Sequence, residues 1–187
     1  MSRKEHLTLE GIHKILAIKA SMNWGLSDQL EKKFPKVNPV SRPIIVDQTI
    51  KYPHWLAGFI TGESTFSISI FKSTTKVGYA VKLIFRITQH SRDVELMKSL
   101  IGYLDCGRYV AGPLTKNYGD YIVSNLPDII EKIIPFLNKY SVMGNKYLDY
   151  SDFREAAFIM KSKGHTTKEG LEKIIQIKEG MNKGRNN

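Results

Sequence analysis

A single acidic residue, Glu63, closes an otherwise apolar stretch that runs from Trp55 to Gly62. Pro53 just upstream suits the first position of a helix, because the N–H that proline lacks would have no partner there. The stretch is therefore predicted to be a helix with a carboxylate at its C-terminal end, where the helix dipole is already negative. A negative charge in that position is costly unless a cation lies beside it, and a divalent metal ion is a suitable cation. Glu63 is thus the first candidate for a metal-binding residue.

Two glycines spaced four apart, Gly58 and Gly62, leave one side of the predicted helix without side chains. Small residues at this spacing allow a second helix backbone to approach closely. We expect Trp55, Gly58, Phe59 and Gly62 to form such a helix interface. As a helix the stretch is only about 12 Å long, too short to span a bilayer, so we expect protein to bury it on every face.

The residues behind Glu63 alternate between apolar and polar in the manner of half-buried strands. Strands are predicted over 65–73, 79–88, 107–112 and 118–125. Further helices are predicted after Ser91 as N-cap, from Pro127, and over 144–161 with Tyr147 and Leu148 facing the core. The predicted order is α-β-β-α-β-β-α, which gives an α+β fold with a four-stranded antiparallel sheet covered by helices on one face.

The uncovered face of this sheet is the candidate nucleic-acid-binding surface, because Arg and Lys can contact guanine while Ser and Thr serve as donors or acceptors. A solvated sheet face explains the alternation equally well, but the flanking lysines and the overall charge favour binding. The candidate residues are Thr65, Ser67, Ser69, Phe71, Lys72, Ser73, Lys76, Ala80, Lys82, Ile84, Arg86, Thr88, Arg108, Val110, Asp120, Ile122 and Ser124.

The composition narrows the class of partner. The 187 residues carry a formal net charge of +10, which favours nucleic acid or an anionic membrane surface as partner. No apolar run is long enough for a transmembrane helix, and no secretory signal is recognisable at the N-terminus. The single cysteine, Cys106, excludes an internal disulfide and a thiolate zinc cluster, and the five histidines show no zinc-ligand spacing. We expect a protein of an internal, reducing compartment, without a membrane partner.

A 22-residue segment occurs twice, at 4–25 and 163–184, with 12 identical positions. Each copy reads as an amphipathic helix that begins after a threonine and ends at Asn-x-Gly. Such a helix would complete a structural unit, so the first copy resembles the end of a missing first half. Residues 25–51, with three prolines, are predicted to be a linker. We therefore divide the chain into 1–50, the N-terminal helix and linker, and 51–187, a complete domain.

The stretch Leu56-Ala57-Gly58-Phe59-Ile60-Thr61-Gly62-Glu63-Ser64 resembles the motif of the LAGLIDADG homing endonucleases and maturases, in a form common in fungal organellar introns. Thr61 looks like a variant of the second motif in two-motif members, and Ser64 replaces a usual glycine. The resemblance extends to Ile87-Thr88-Gln89-His90 and to the C-terminal Met-Asn-Lys-Gly, and so covers nearly the whole chain. It implies the αββαββα fold with a saddle-like sheet, and a mitochondrial location.

The resemblance implies a site-specific double-stranded DNA endonuclease that hydrolyses phosphodiesters with Mg²⁺. Glu63 would be the catalytic acid, and Glu63 with the Gly62 carbonyl would hold the metal. A second motif helix would have to come from a homodimer partner or a separate first-half chain. Lys82 and Arg86 are weak candidates for stabilising transition-state charge. The alternatives are a non-catalytic binder of structured RNA, such as an intron maturase or ribonucleoprotein component, and, less favoured, a DNA-binding regulator.

Overall fold

The computed structural model describes residues 4–22, 25–43, 45 and 47–184. Its contacts divide the chain into two compact units, Met1–Asp47 and Gln48–Asn187. The division drawn from the sequence, after residue 50, falls three residues later. Asn23 and Trp24, which belong to the predicted stop of the first repeat, lie outside the described residues.

The first unit contains a short 3-10 turn, Glu5–Leu7, and helices α1, Leu9–Ala20, and α2, Asp28–Lys33. The Thr8 hydroxyl accepts the N–H of Gly11 and caps α1, as the sequence predicts. The described part of the proline-rich segment contains regular structure. It holds α2, and its Val40 donates its N–H to the Ala17 carbonyl.

The second unit begins with the motif helix α3, Pro53–Glu63. It is followed by β1, Ser64–Lys72, β2, Tyr79–His90, α4, Val94–Leu104, β3, Arg108–Ala111, and β4, Tyr118–Val123. The strands form one sheet in the order β1-β2-β4-β3, with every neighbouring pair antiparallel. The predicted α+β fold is confirmed. The prediction that Ser91 caps α4 is wrong. Ser91 lies in a 3-10 turn, Ser91–Asp93, and the His90 ring caps this turn by accepting the Arg92 N–H.

The remaining elements are helical. α5, Leu126–Asp128, continues through a π-helical stretch, Ile129–Ile133, into α6, Ile134–Lys139; α7, Asn145–Lys161, and α8, Lys168–Glu179, follow. Pro135 accounts for the π-helical stretch, since its ring has no N–H and would clash with the carbonyl four residues earlier in a regular α-helix. Over the described residues, no helix has the length and apolar character needed to cross a membrane.

The core lies between one sheet face and the helices. Alternate strand residues, among them Phe66, Phe85 and Tyr121, are fully buried. The Phe66 ring packs 5.3 Å from the rings of Phe85 and of Phe153 on α7. Burial raises the pKa of the Tyr121 hydroxyl, which stays protonated and donates to the Cys106 carbonyl at 2.8 Å. Each strand therefore turns its polar residues to the opposite, uncovered face.

The side of α7 that packs inward is only partly the predicted one. Phe153 and Ala157 are buried, but Tyr147 and Leu148 are 43% and 42% exposed. Asp149 and Tyr150 are buried instead, on the same side of the helix as Phe153 and Ala157. The buried carboxylate of Asp149 accepts a hydrogen bond from the backbone N–H of Asn182 at 2.9 Å.

The two copies of the repeat differ in what covers them. In the second copy Thr167 caps α8 by accepting the Gly170 N–H, and Asn182 donates its side-chain amide to the Phe66 carbonyl. Ile174 of this copy is fully buried, whereas the matching Ile15 of α1 is 41% exposed. Equivalent sequences thus make equivalent helices, but only the second helix has its apolar face covered by the domain that it closes.

Candidate nucleic-acid interface and metal-binding acid

Glu63 is exposed at the junction between the motif helix and the first strand. The next residue, Ser64, donates its N–H to the Ile60 carbonyl and begins β1 opposite Ile87. The chain therefore leaves the helix directly into the sheet, which fixes the carboxylate at one end of the uncovered sheet face. Glu63 makes no salt bridge with any residue that the structure describes.

The motif helix buries one side only. Leu56 and Ile60 are almost completely buried against the core, whereas Trp55 is 48% exposed. Gly58 and Gly62 are exposed, and a Cβ built on either would meet no atom within 4 Å. In the single chain, Trp55, Gly58 and Gly62 lie on a side of the helix that no described part of the domain covers, so burial on every face would need a second helix.

Aromatic rings flank this open side. Trp55 and Phe59 stack with their ring centroids 5.2 Å apart and an angle of 12° between their planes. An exposed apolar surface next to bare glycine backbone is suited to close helix packing. We call the surface formed by Trp55, Gly58, Phe59 and Gly62 the open face of α3.

A cation that the sequence analysis missed lies at the foot of the motif helix. Lys146, near the start of α7, donates its ammonium to the Ser64 carbonyl, directly after Glu63. A cation at a helix C-terminus opposes the negative end of the dipole. The two residues in contact are 82 positions apart, so no local sequence signal points to the pair.

Two hydroxyls beside the acid have different surroundings. Thr61 donates to the Ala57 carbonyl at 2.8 Å and accepts the N–H of Met143 at 3.3 Å, so it ties the segment before α7 to the motif helix. The Ser64 hydroxyl is buried and has no partner in the described part of the chain. Thr61 is thus a structural residue of the helix.

The donors at Glu63 suit a hard cation but do not complete a site. A carboxylate oxygen and a carbonyl of the last helical turn, which has no partner within the helix, are oxygen ligands of the kind Mg²⁺ takes. Within the residues that the structure describes, no group of three or more His, Cys, Asp or Glu side chains comes together to hold a metal. Among the described residues, Glu63 therefore does not belong to such a group.

The predicted nucleic-acid-binding residues are arranged along the length of the uncovered face. None of them is buried. Thr65 pairs with Arg86 at the end near Glu63, Ser69 pairs with Lys82 in the middle, and Phe71 pairs with Ala80 at the far end. The structure therefore spreads the predicted residues from the acid to the tip of the β1–β2 hairpin.

The register of β1 and β2 corrects the predicted role of Lys82 in charge stabilisation. Lys82 opposes Ser69, five residues along β1 from Ser64, which is about 17 Å at the usual rise of a strand. It lies too far from Glu63 to stabilise charge there, whereas Arg86, opposite Thr65, lies near it. Lys72 shares the alternation of Phe66 and the core-facing residues, so it lies at the rim of the sheet, flanking the uncovered face as the sequence predicts.

One acidic residue on this face is engaged by its neighbours. Asp120 on β4 accepts a hydrogen bond from the Thr88 hydroxyl at 2.6 Å through Oδ1. Its Oδ2 lies 3.9 Å from Nε of Arg86. All three residues were predicted to bind nucleic acid, and the register of β2 and β4 brings them together.

Known proteins resemble this chain closely. The sequence model described as LAGLIDADG endonuclease matches residues 56–157. The probable intron-encoded endonucleases 2 and 3 of Neurospora crassa are 40% and 37% identical to it over 97% and 93% of the chain, which spans 41% and 33% of their length. The crystal structure of the I-SmaMI LAGLIDADG homing endonuclease bound to cleaved DNA superposes with a TM-score of 0.95 at 48% identity, over 100% of this chain and 62% of that one. The chain thus spans less than two thirds of each of these proteins.

Proposed function

The chain belongs to the LAGLIDADG endonuclease family, and from this premise we propose that it acts in site-specific, metal-dependent cleavage of double-stranded DNA. The observation that carries the proposal is the position of Glu63. This acid has no ion pair with any described residue, and it lies at one end of the uncovered sheet face, beside a helix side that no described part of the domain covers. The sheet face would hold the duplex in its major groove, and the acid would lie at the scissile phosphates. The structural relative I-SmaMI is a homing endonuclease that was crystallised with cleaved DNA, which supports DNA as the substrate.

We propose that Glu63 and the Gly62 carbonyl hold Mg²⁺. When bound, such an ion polarises phosphate oxygens and lowers the pKa of a coordinated water. The other half of the ligand set would come from the corresponding acid of a second motif helix packed on the open face of α3. The ammonium of Lys146, which binds the Ser64 carbonyl next to Glu63, would stabilise negative charge on the phosphate.

The proposed partner is a second LAGLIDADG domain. A second copy of the chain can supply it, because the open face of α3 is available on every copy. The exposed apolar face of α1 favours a distinct first-half domain as the partner. In α8, which has the repeated sequence, the corresponding face is covered by the domain that this helix closes. The intron-encoded fungal relatives support an organellar intron origin and a mitochondrial location.

The replacement Glu63→Gln tests the catalytic role. It keeps the size of the side chain and removes its charge. Duplexes are first selected from a random library by binding in Ca²⁺, and the selected duplex is then incubated in Mg²⁺. We expect Glu63→Gln to bind this duplex as the unmutated protein does, since the sheet supplies most phosphate contacts, and to lose cleavage by a factor of about 100 or more.

Glu131→Gln is the matched control, because it makes the same chemical change at an exposed residue on the far helical side of the domain. Cleavage by this variant should equal that of the unmutated protein. Cleavage that survives in Glu63→Gln at the unmutated rate would refute the catalytic assignment.

A non-catalytic binder remains the second candidate, because the described chain offers one acid where a two-metal site needs two. If the chain only binds, structured intron RNA or duplex DNA would be held and never cut, in Mg²⁺ as in Ca²⁺. Glu63→Gln would then leave binding unchanged and raise the free energy of unfolding by about 1 kcal/mol, since it removes a negative charge from the negative end of the helix dipole. The same experiment therefore separates the two functions.

A further inference from the structure

The uncovered sheet face contains one acid among its strand positions, all of which the structure describes. Asp120 is that acid. A carboxylate on a surface that meets phosphates repels them, so its presence there lowers general affinity for nucleic acid. The position of Asp120 therefore calls for a role other than contact with the nucleic-acid backbone.

Both oxygens of Asp120 are directed to neighbours on β2. Oδ1 accepts the Thr88 hydroxyl at 2.6 Å, and Oδ2 lies 3.9 Å from Nε of Arg86. Thr88 is the direct cross-strand partner of Asp120, so the hydrogen bond fixes the carboxylate rotamer by the register of the sheet. The Asp120 side chain is 15% exposed, which leaves it little surface for a base or a phosphate.

The terminal amino groups of Arg86 are the part of its side chain available to a bound duplex. Its side chain is 45% exposed, and the carboxylate lies on the Nε side of the guanidinium. The terminal amino groups on the opposite edge are the pair that can donate two parallel hydrogen bonds to O6 and N7 of guanine. A carboxylate on the Nε side attracts the guanidinium and favours one orientation, so Arg86 would lose less freedom when it binds a base.

We infer that Thr88 and Asp120 position Arg86 to read one guanine in the major groove, so that Asp120 determines specificity at a single base pair without touching the DNA. The inference rests on the proposed function, since it requires that the uncovered face binds duplex DNA. It changes the predicted role of Asp120 from a nucleic-acid contact to a positioning residue that acts through Arg86.

Selection of duplexes from a random-sequence library by the full chain tests this inference. The unmutated protein should enrich guanine at one position of the recovered sequences. Arg86→Ala and the isosteric Asp120→Asn should each reduce that enrichment by about tenfold or more, at that position and no other. Thr88→Val, which removes only the hydrogen bond to Oδ1, should reduce it less at the same position.

Arg108→Ala is the matched control variant. Arg108 on β3 and Arg86 on β2 both pair with Ile122, so the two arginines flank the same residue. Among the described residues, the ion pair of Asp120 is with Arg86 and not with Arg108. Arg108→Ala removes an equal charge and should alter the base preference at a different position. Thermal unfolding of each variant shows that the fold is unchanged.

Two results would overturn the inference. In the first, Asp120→Asn keeps the guanine preference that Arg86→Ala loses, so the acid has no part in reading. In the second, Asp120→Asn alters every position equally, which indicates only a change of overall charge. If the unmutated chain enriches no duplex from the library at any salt concentration, the proposed DNA binding itself fails and the inference fails with it.

Discussion

The open face of α3 allows stability and assembly to be changed in opposite directions by the same substitution. Gly58 and Gly62 have ordinary helical backbone and empty space where a Cβ would lie. In the single chain, Gly→Ala at each position should therefore raise the free energy of unfolding by roughly 0.5–1 kcal/mol, because alanine loses less conformational freedom in a helix. The double variant Gly58→Ala/Gly62→Ala should gain about 1–2 kcal/mol, which corresponds to roughly 2–8 °C in Tm for a protein of this size.

Assembly should respond in the opposite sense. If a second motif helix packs closely on this face, each added methyl group enters occupied space and costs about 1–3 kcal/mol. Two methyl groups should then weaken association at least about tenfold. The measurements are calorimetric unfolding, and sedimentation of the chain over a range of concentrations with and without a selected duplex.

Gly102→Ala provides the comparison. Gly102 lies in α4, is exposed, has no atom within 4 Å of a built Cβ and does not belong to the open face. It should gain the same stability with no change in association. The proposed helix contact is refuted if the double variant associates as strongly as the unmutated chain. It is also refuted if the double variant unfolds at a lower temperature, because the two glycines would then be needed for the fold of the single domain.

Two further predictions concern the DNA-binding face and the helix caps. The logarithm of the affinity for duplex DNA should fall linearly with the logarithm of the salt concentration. Lys82→Ala should reduce the magnitude of this slope by about 0.9 if the Lys82 ammonium neutralises one phosphate. An unchanged slope would show that Lys82 does not contact a phosphate. Thr167→Ala removes the cap of α8, whose apolar face is buried, and should lower the free energy of unfolding by about 1 kcal/mol. Thr8→Ala removes the matching cap of α1, whose apolar face is exposed, and should change the main unfolding transition less. Equal effects of the two variants in a denaturant titration would contradict this.

Local pattern was enough to predict most of the fold. The motif from Leu56 to Ser64 identified the family, and alternation along β1 and β2 separated core residues such as Phe66 from uncovered ones such as Thr65, as the structure confirms. These features follow from periodicity and residue type, which a single sequence displays. The threonine caps of both repeats are local in the same sense.

The parts that the sequence did not predict depend on contacts between distant segments. Lys146 reaches Ser64 across 82 residues, and nothing near Lys146 in the sequence marks it as different from the other lysines. Tyr147 and Leu148 are apolar and fit a helical stripe, yet the register of α7 against the core exposes them. The pairing of Asp120 with Thr88 required the register of β2 on β4, which alternation alone does not fix.

The exposed apolar face of α1 bears on the symmetry of the DNA target. A nuclease formed by two copies of this chain would have a twofold axis, and the sequence that it reads would have to be a palindrome. A domain closed by α1 would instead present a different sheet face and read a different half-site. The target would then be asymmetric, and substitutions in one half of the protein would shift preference at one end of the site while the other end stayed constant.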